Sequence, residues 1–411
     1  MSAASPGAPT QSPTEPAGPT AGRAQRPAGA PPLAQILCLD DLERLAAARL
    51  PAEVWDFVQG GSGAETTLAA NRAALREVTV LPRVLRGTGP ATTRTRIVGA
   101  PAALPAAVAP MAYHQLLTSA GELATAAAAK AADVPFTVGM LSSCSLESIA
   151  AVGARLWFQL YWLTDRGSMR DLIARAEAAG CEALMITVDV PVMGRRLRDL
   201  RNGFALPPEV SAVNLAPGPH SFAHSRVAGA SAVAEHTKAA FDPAVTWRDL
   251  EWLRTQSALP LIVKGVLDEN DAVRAAECGA DAVVVSNHGG RQLDGAVAAV
   301  AALPHVAEAV GGRCEVLLDS GVRSGTDILR ALALGASGVL VGRPLLWGLA
   351  VDGAEGAERV LALLRTELAD CLTLAGCADP RAAARLRTML GPRATAWYGP
   401  SSGEGHDHRD H

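Results

Sequence analysis

The stretch "VSNHGGRQLDG", residues 285–295, follows the apolar run "DAVVV" and sets His288, Gly289, Gly290 and Arg291 side by side. Polar groups close the other apolar runs in the same way. "APMAYH" closes the first, Gln159 and Tyr161 the third, Thr187 and Asp189 the fourth, and Lys264 the fifth. Ser286, His288 and Arg291 follow the sixth, Asp319, Gly321 and Arg323 the seventh, and Gly342 and Arg343 the eighth. Lys264 or Asp189 taken alone reads as an ordinary surface or ion-paired residue. A histidine, a lysine and several arginines around two acids form a concentration that structure alone rarely requires, and it reads as an active site. In "DSGVRSGTDILRALALG" a strand gives way to a glycine loop and then a helix starting near Thr326 and closing at Gly335. Backbone amides at such turns, with Arg323 and Arg343, make a seat for phosphate. A phosphorylated ligand is implied, and it need not be the substrate.

These side chains meet only if the runs end at one rim. The runs cover residues 104–110, 134–140, 155–161, 183–189, 260–266, 281–287, 315–321 and 338–344, and Ala- and Leu-rich helical stretches separate them. Continuous apolar strands alternating with helices imply a parallel sheet covered by helices. Eight such units predict an α/β protein with a closed (β/α)8 TIM barrel from about residue 100, its chemistry at the C-terminal strand ends.

Before the barrel, "CLDDLERLAAARLPAEVWDFVQGGSGAETTLAANRAAL" has helical periodicity broken at Pro51 and at Gly60, Gly61 and Gly63, an N-terminal helical preface. "QGGSG" follows a helix rather than a strand, so it reads as a turn and not as a dinucleotide-binding loop. After strand four, about 70 residues precede strand five, far more than an ordinary loop. This long loop, centred on 205–245, reads equally as a mobile lid or a disordered insertion. Residues 1–35, rich in Pro and Ala, have little to bury and are expected to be disordered. The main domain is expected at 36–390. Residues 391–411, histidines included, are expected to be a flexible tail rather than a metal site.

With 49% hydrophobic residues and a net charge of -4, the chain can build a large core and gives no electrostatic reason to expect nucleic acid or an anionic membrane as partner. No apolar run approaches the roughly 20 residues needed to cross a bilayer. The seven cysteines stand singly, without a CxxC pair, so neither a zinc site nor a disulfide framework is expected. A reducing, cytoplasmic setting is expected instead.

The motifs "VSNHGGRQLDG", "LDSGVRSGTDILRALALGASGVLVGRP", "FQLY", "TVDVPVMGRR", "LIVKGV" and "GSGAETTLAANRAAL" together resemble the FMN-dependent α-hydroxy acid oxidase and dehydrogenase family, from about residue 40 to 380. "APMAYH" and "GRRLRDLRNGFALP" are most similar to its 4-hydroxymandelate-oxidising branch. The resemblance implies that His288 is the base, taking a proton from the α-carbon or the hydroxyl as two electrons pass to the flavin. Asp189 would hold its imidazole. It makes Arg291 the carboxylate clamp, Tyr161 a substrate hydrogen-bond partner and Arg196 a second cation. For FMN it implies Lys264 beside the ring's N1 and O2, and Pro110, Met111 and Ala112 along the ring. Gln159, Thr187 and Ser286 become ring partners, Asp319 a ribityl contact, and Gly321, Arg323, Gly342 and Arg343 the phosphate seat.

Two positions refine the reading. Phe57 stands where the family usually has a tyrosine that contacts the substrate carboxylate, which favours an aryl substrate in a more apolar pocket. Ala112 is the residue common among the family's oxidases, so oxygen is the expected acceptor. A quinone or carrier protein as acceptor, and an aliphatic acid such as L-lactate or glycolate as substrate, stay open. Relatives are often tetramers, and a homotetramer is expected.

Overall fold

The computed structural model describes residues 33–215 and 231–391. Eight strands pair in parallel into a closed barrel: β1 (Ala106–Val108), β2 (Phe136–Gly139), β3 (Leu156–Leu160), β4 (Ala183–Thr187), β5 (Leu261–Val266), β6 (Ala282–Val285), β7 (Glu315–Leu318) and β8 (Gly338–Val341), with β8 returning to β1. Each of the eight runs read from the sequence contains one of these strands, shortened at one or both ends. Alternation along them divides the core in two. Trp157, Met185, Ile262, Val284, Leu317 and Leu340 form one buried cluster inside the barrel, while neighbours such as Phe158, Ile186, Val263 and Val285 pack outward beneath the helices.

One end of the barrel is plugged. An antiparallel hairpin, Thr95–Ile97 with Ala100–Ala102, brings Ile97 into the inner cluster, and the Val98 and Gly99 amides donate to Glu315 at the start of β7, both at 2.9 Å. The other end is left for the site. The helical preface is α1 (Leu39–Arg49), α2 (Ala52–Gln59) and α3 (Thr66–Glu77), broken where Pro51 and the glycine cluster break the periodicity. The glycine cluster is a turn, and it is docked on the loop after β6. Ser62 N donates to the Gly290 carbonyl at 2.9 Å, and Asp294 accepts from the Ala64 and Thr67 amides.

The long connection after β4 departs from a disordered insertion wherever it is described. It holds helices Leu197–Asn202, Ala232–Ala240 and Trp247–Gln256. Its end is anchored by Arg166, which bonds Asp242 and Asp249, each at 2.8 Å, and lies over Trp162 and Trp252. Residues 216–230 are outside the described residues, and with them the question of a mobile lid. The expected tails, 1–35 and 391–411, also lie almost wholly outside; Leu33–Gln35 form a 3-10 turn. Near the chain ends, Val78–Val80 pairs antiparallel with Thr388–Leu390. Among the described residues no helix is long and apolar enough to cross a membrane.

The helix Arg343–Leu374 is kinked at Asp352 and Gly353, which brings Gly348 against Gly356. A Cβ on Gly348 would lie 2.5 Å from the Gly356 carbonyl oxygen, and a Cβ on Gly356 would strike that of Gly348. Both clashes are with backbone, which cannot swing aside. Gly356→Ala is therefore expected to destabilise the fold by about 2 kcal/mol or more, read as a lower thermal midpoint.

Candidate active site

The loop after β6 sets His288 in the left-handed region, φ 58°, a strained conformation for a residue with a Cβ. The surroundings hold it there. Asn287 exchanges two 2.8 Å amide hydrogen bonds with Asn71 of α3, the His288 amide donates to Ser286 Oγ at 3.0 Å, and the Gly289 amide to Ser320 Oγ at 3.0 Å. His288 Nδ1 lies 3.0 Å from Asp189 Oδ1, just beyond β4. That pairing leaves Nε2 as the nitrogen with freedom to exchange a proton. Burial lowers the imidazole below its ordinary 6.5, with Asp189 opposing the shift, so the ring is a neutral base near pH 7.

Lys264, 4% exposed on β5, has its Nζ 2.9 Å from Asp319 Oδ2 and 3.1 Å from Ser286 Oγ, and Ser286 donates to Asp319 at 2.7 Å. Burial opposes the ammonium charge, but Asp319 and then Asp189 outweigh it, and Lys264 is held above its ordinary 10.5. Burial alone would raise Asp319, but the charge of Lys264 together with hydrogen bonds from Lys264, Ser286 and the Ser320 amide holds it below 3.8. The result is a fixed buried cation.

Arg196, Arg291 and Arg343 converge nearby. Arg343 spends its guanidinium on the Val58, Gly60 and Gly289 carbonyls at 3.0–3.1 Å, and Arg291 donates to Gly60 at 2.7 Å. Phe57 lies beside two of them: its ring centre is 6.0 Å from Arg196 and 5.5 Å from Arg291, and it stacks on Phe204 at 4.4 Å. Burial, then the charge of Arg291, presses Arg196 down to about 9; burial, then Arg72, presses Arg323 to about 10; Arg343 lies well below its ordinary value. A guanidinium stays charged in a protein. The depressions come first from burial and next from the repulsion of neighbouring arginines, which the acids nearby only partly offset, Asp199 being itself raised by burial. Such a cluster is built for anions.

A cleft of about 1000 Å³, its open mouth included, joins these groups. Pro110, Met111, Ala112, Lys264, Asp319, Gly342 and Arg343 line it. So do Phe57, Tyr161, Arg196, His288 and Arg291. Asp189 stands behind His288. Gln159 and Thr187 bond each other at 3.0 Å, buried at the ends of β3 and β4, and Ser286 is likewise fully buried. Gly321 packs on α3, its carbonyl accepting from Arg72 at 3.0 Å, and Arg323 lies against Trp347. None of these is in the cleft wall.

The wall also holds residues that sequence reasoning missed. Val233, Thr237 and Phe241 come from the long connection, and Phe241 stacks on Tyr161 at 4.7 Å. Tyr113 stands within "APMAYH", a motif the sequence singles out without giving this residue a role of its own. It is buried in the left-handed region.

A family model described as FMN-dependent dehydrogenase matches residues 46–388. The chain belongs to this family. Within the FMN-dependent dehydrogenases it is 56% identical to a 4-hydroxymandelate oxidase of Amycolatopsis orientalis over 353 residues, 86% of this chain and 98% of that protein. It is 47% identical to an L-lactate oxidase of Nostoc over 351 residues, 83% of this chain and 94% of that one. Among solved structures, a mandelate oxidase with (S)-4-hydroxymandelic acid superposes with a TM-score of 0.84 at 55% identity, covering 86% of this chain and 99% of that chain.

The cofactor of an FMN-dependent dehydrogenase is FMN, and the site fits it on its own chemistry. Arg323 and Arg343 bond only backbone carbonyls and make no ion pair among the described residues, which suits a phosphate, and a flavin ring, which gains negative charge on reduction, suits the buried Lys264.

Proposed function

We propose that this chain oxidises an aromatic (S)-2-hydroxy acid, of the mandelate or 4-hydroxymandelate type, to the 2-oxo acid, with oxygen reduced to hydrogen peroxide. The observation that carries the reading is His288, paired with Asp189 at 3.0 Å, in one cleft with Arg196 and Arg291. A base and two cations together suit an acid that loses a proton and keeps its carboxylate.

FMN, when bound, accepts the electron pair from the substrate and passes it to oxygen. Lys264, Pro110, Met111, Ala112, Gln159, Thr187 and Ser286 would hold its ring, Asp319 its ribityl chain, and Gly321, Arg323, Gly342 and Arg343 its phosphate. Arg291 and Arg196 fix the substrate carboxylate, Tyr161 bonds the substrate, and His288 takes its proton. Asp189 fixes the imidazole and stabilises the imidazolium that results. Phe57, Val233, Met193 and Phe241 give the cleft an apolar wall, which supports an aryl group over a methyl group.

Cytoplasmic location and a homotetramer are part of the same proposal. Seven free thiols support the first. Leu81, Val84, Leu85, Leu374 and Met389, exposed around the paired chain ends, support a further copy as cover.

The test is to mix the FMN-loaded protein anaerobically with (S)-mandelate, (S)-4-hydroxymandelate, L-lactate and glycolate, follow flavin bleaching, and then admit air. Fast bleaching by the aryl acids with rapid reoxidation is expected. Slow reoxidation would assign a quinone or carrier protein as acceptor, preference for lactate or glycolate would assign an aliphatic substrate, and bleaching by none would overturn the reading.

The state of His288 also sets a pH dependence. The base works when neutral, so kcat/KM falls as acid protonates it, and burial places that limb below histidine's ordinary 6.5. Asp189→Asn removes the charge that opposes the shift, so the limb is expected to move further to acid while the rate falls. A limb that moves to higher pH in that variant would contradict the pairing.

A further inference from the structure

Arg323 is held without an acid of its own. Among the described residues its side chain makes one hydrogen bond, from Nη1 to the Val322 carbonyl at 2.8 Å, and no ion pair. Asp327, which accepts the Arg323 backbone N–H at 2.9 Å, is already paired with Arg72 at 3.5 Å and Arg330 at 3.0 Å. The guanidinium carbon of Arg323 instead lies 4.8 Å from the centre of the Trp347 ring. Trp347 is fully buried near the start of helix Arg343–Leu374, and its indole Nε1 has no hydrogen-bond partner among the described residues. A buried donor without an acceptor is a penalty that phenylalanine or leucine would avoid. The use of this position therefore lies in the ring face.

We infer that Trp347 is a positioning residue for the flavin phosphate, fixing Arg323 by a cation–π contact that occupies none of its N–H groups. The inference rests on the phosphate role proposed above for Arg323. A carboxylate in the place of Trp347 would cancel the charge of Arg323 and compete with phosphate oxygens for its donors. An aromatic face does neither. It attracts the cation through the ring quadrupole, most strongly where water is excluded, and leaves the remaining donors for a dianion. It also holds Arg323 in place against the repulsion of Arg72 and Arg343.

The experiment titrates the full chain, stripped of flavin, with FMN and with riboflavin, which lacks the phosphate. Trp347→Leu is expected to weaken FMN binding roughly tenfold while changing riboflavin binding little, and Trp347→Phe to retain most of the preference for FMN. Trp347→Met, whose flexible unbranched side chain adapts to the space without supplying a ring, replaces the leucine variant if that one does not fold. An equal loss for both flavins, or no recovery with phenylalanine, overturns the inference, because the tryptophan then only fills space. Arg323→Met tests the underlying reading separately. If it leaves the preference for FMN over riboflavin unchanged, the phosphate role of Arg323 fails; if it removes the preference and Trp347→Leu does not, only the role of Trp347 fails.

Discussion

His288→Ala is expected to slow reduction of the bound flavin by (S)-mandelate by about 10⁴-fold, the upper range for loss of a positioned general base. The loss should fall on the chemical step. Arg196, Arg291 and Phe57 do not depend on the imidazole for their places: Arg291 is tied to Gly60 and Phe57 is stacked on Phe204. Substrate binding should therefore change by less than about tenfold. The loop itself should survive, because Asn287 and the Gly289 amide hold it through Asn71 and Ser320, and alanine carries the same Cβ at φ 58°. Anaerobic single-turnover mixing over a range of mandelate concentrations separates the two effects. A variant slowed less than tenfold at saturation would mean that another group takes the proton, and the place of His288 against Asp189 would then be structural.

The barrel and most of the site residues were legible for one physical reason. A strand buried on both faces must be apolar throughout, as "AVVV" of β6 is, so a polar residue directly after it marks the strand end and the mouth. Asp189 and His288 stand two and three residues past the ends of β4 and β6, whereas Lys264 interrupts an otherwise apolar strand near the end of β5, a charge that a buried strand does not carry without a use. Residues farther along the connections carry no such mark. Phe241 reaches the cleft at the far end of a connection whose course no local pattern dictates, and its stack on Tyr161 joins two loops. Phe204 behind Phe57 is hidden in the same way. The pairing of Val78–Val80 with Thr388–Leu390 joins segments near opposite ends of the chain, and three-residue strands carry too little alternation to announce a partner. Arg323 was legible as a cation near the phosphate turn, but its tryptophan was not, since Trp347 reads as one more apolar helix residue.

Arg291→Met is expected to lower kcat/KM for (S)-mandelate by about 10³-fold, the scale for truncating one partner of a buried charge pair. Methionine keeps much of the length and the apolar stem, so packing against Phe57 persists while the charge and donors go. The structure predicts that Arg196 cannot replace it. Arg196 is itself buried, its Nε lacks a hydrogen-bond partner among the described residues, and no carbonyl there orients its guanidinium, which lies by the face of Phe57 with Asp199 and Tyr161 near enough to act on its charge. Arg291, by contrast, is oriented by the Gly60 carbonyl, which fixes one side of the guanidinium and leaves the rest for a carboxylate. Lysine at this position should recover only part of the loss, because an ammonium offers no planar fork. The control is a neutral substrate, the amide of mandelic acid. If Arg291 recognises charge, the parent protein prefers the acid strongly and the methionine variant turns over acid and amide at similar efficiency. An equal fall for acid and amide would instead make Arg291 a support for the loop after β6, and the carboxylate would have to be held by Arg196 alone.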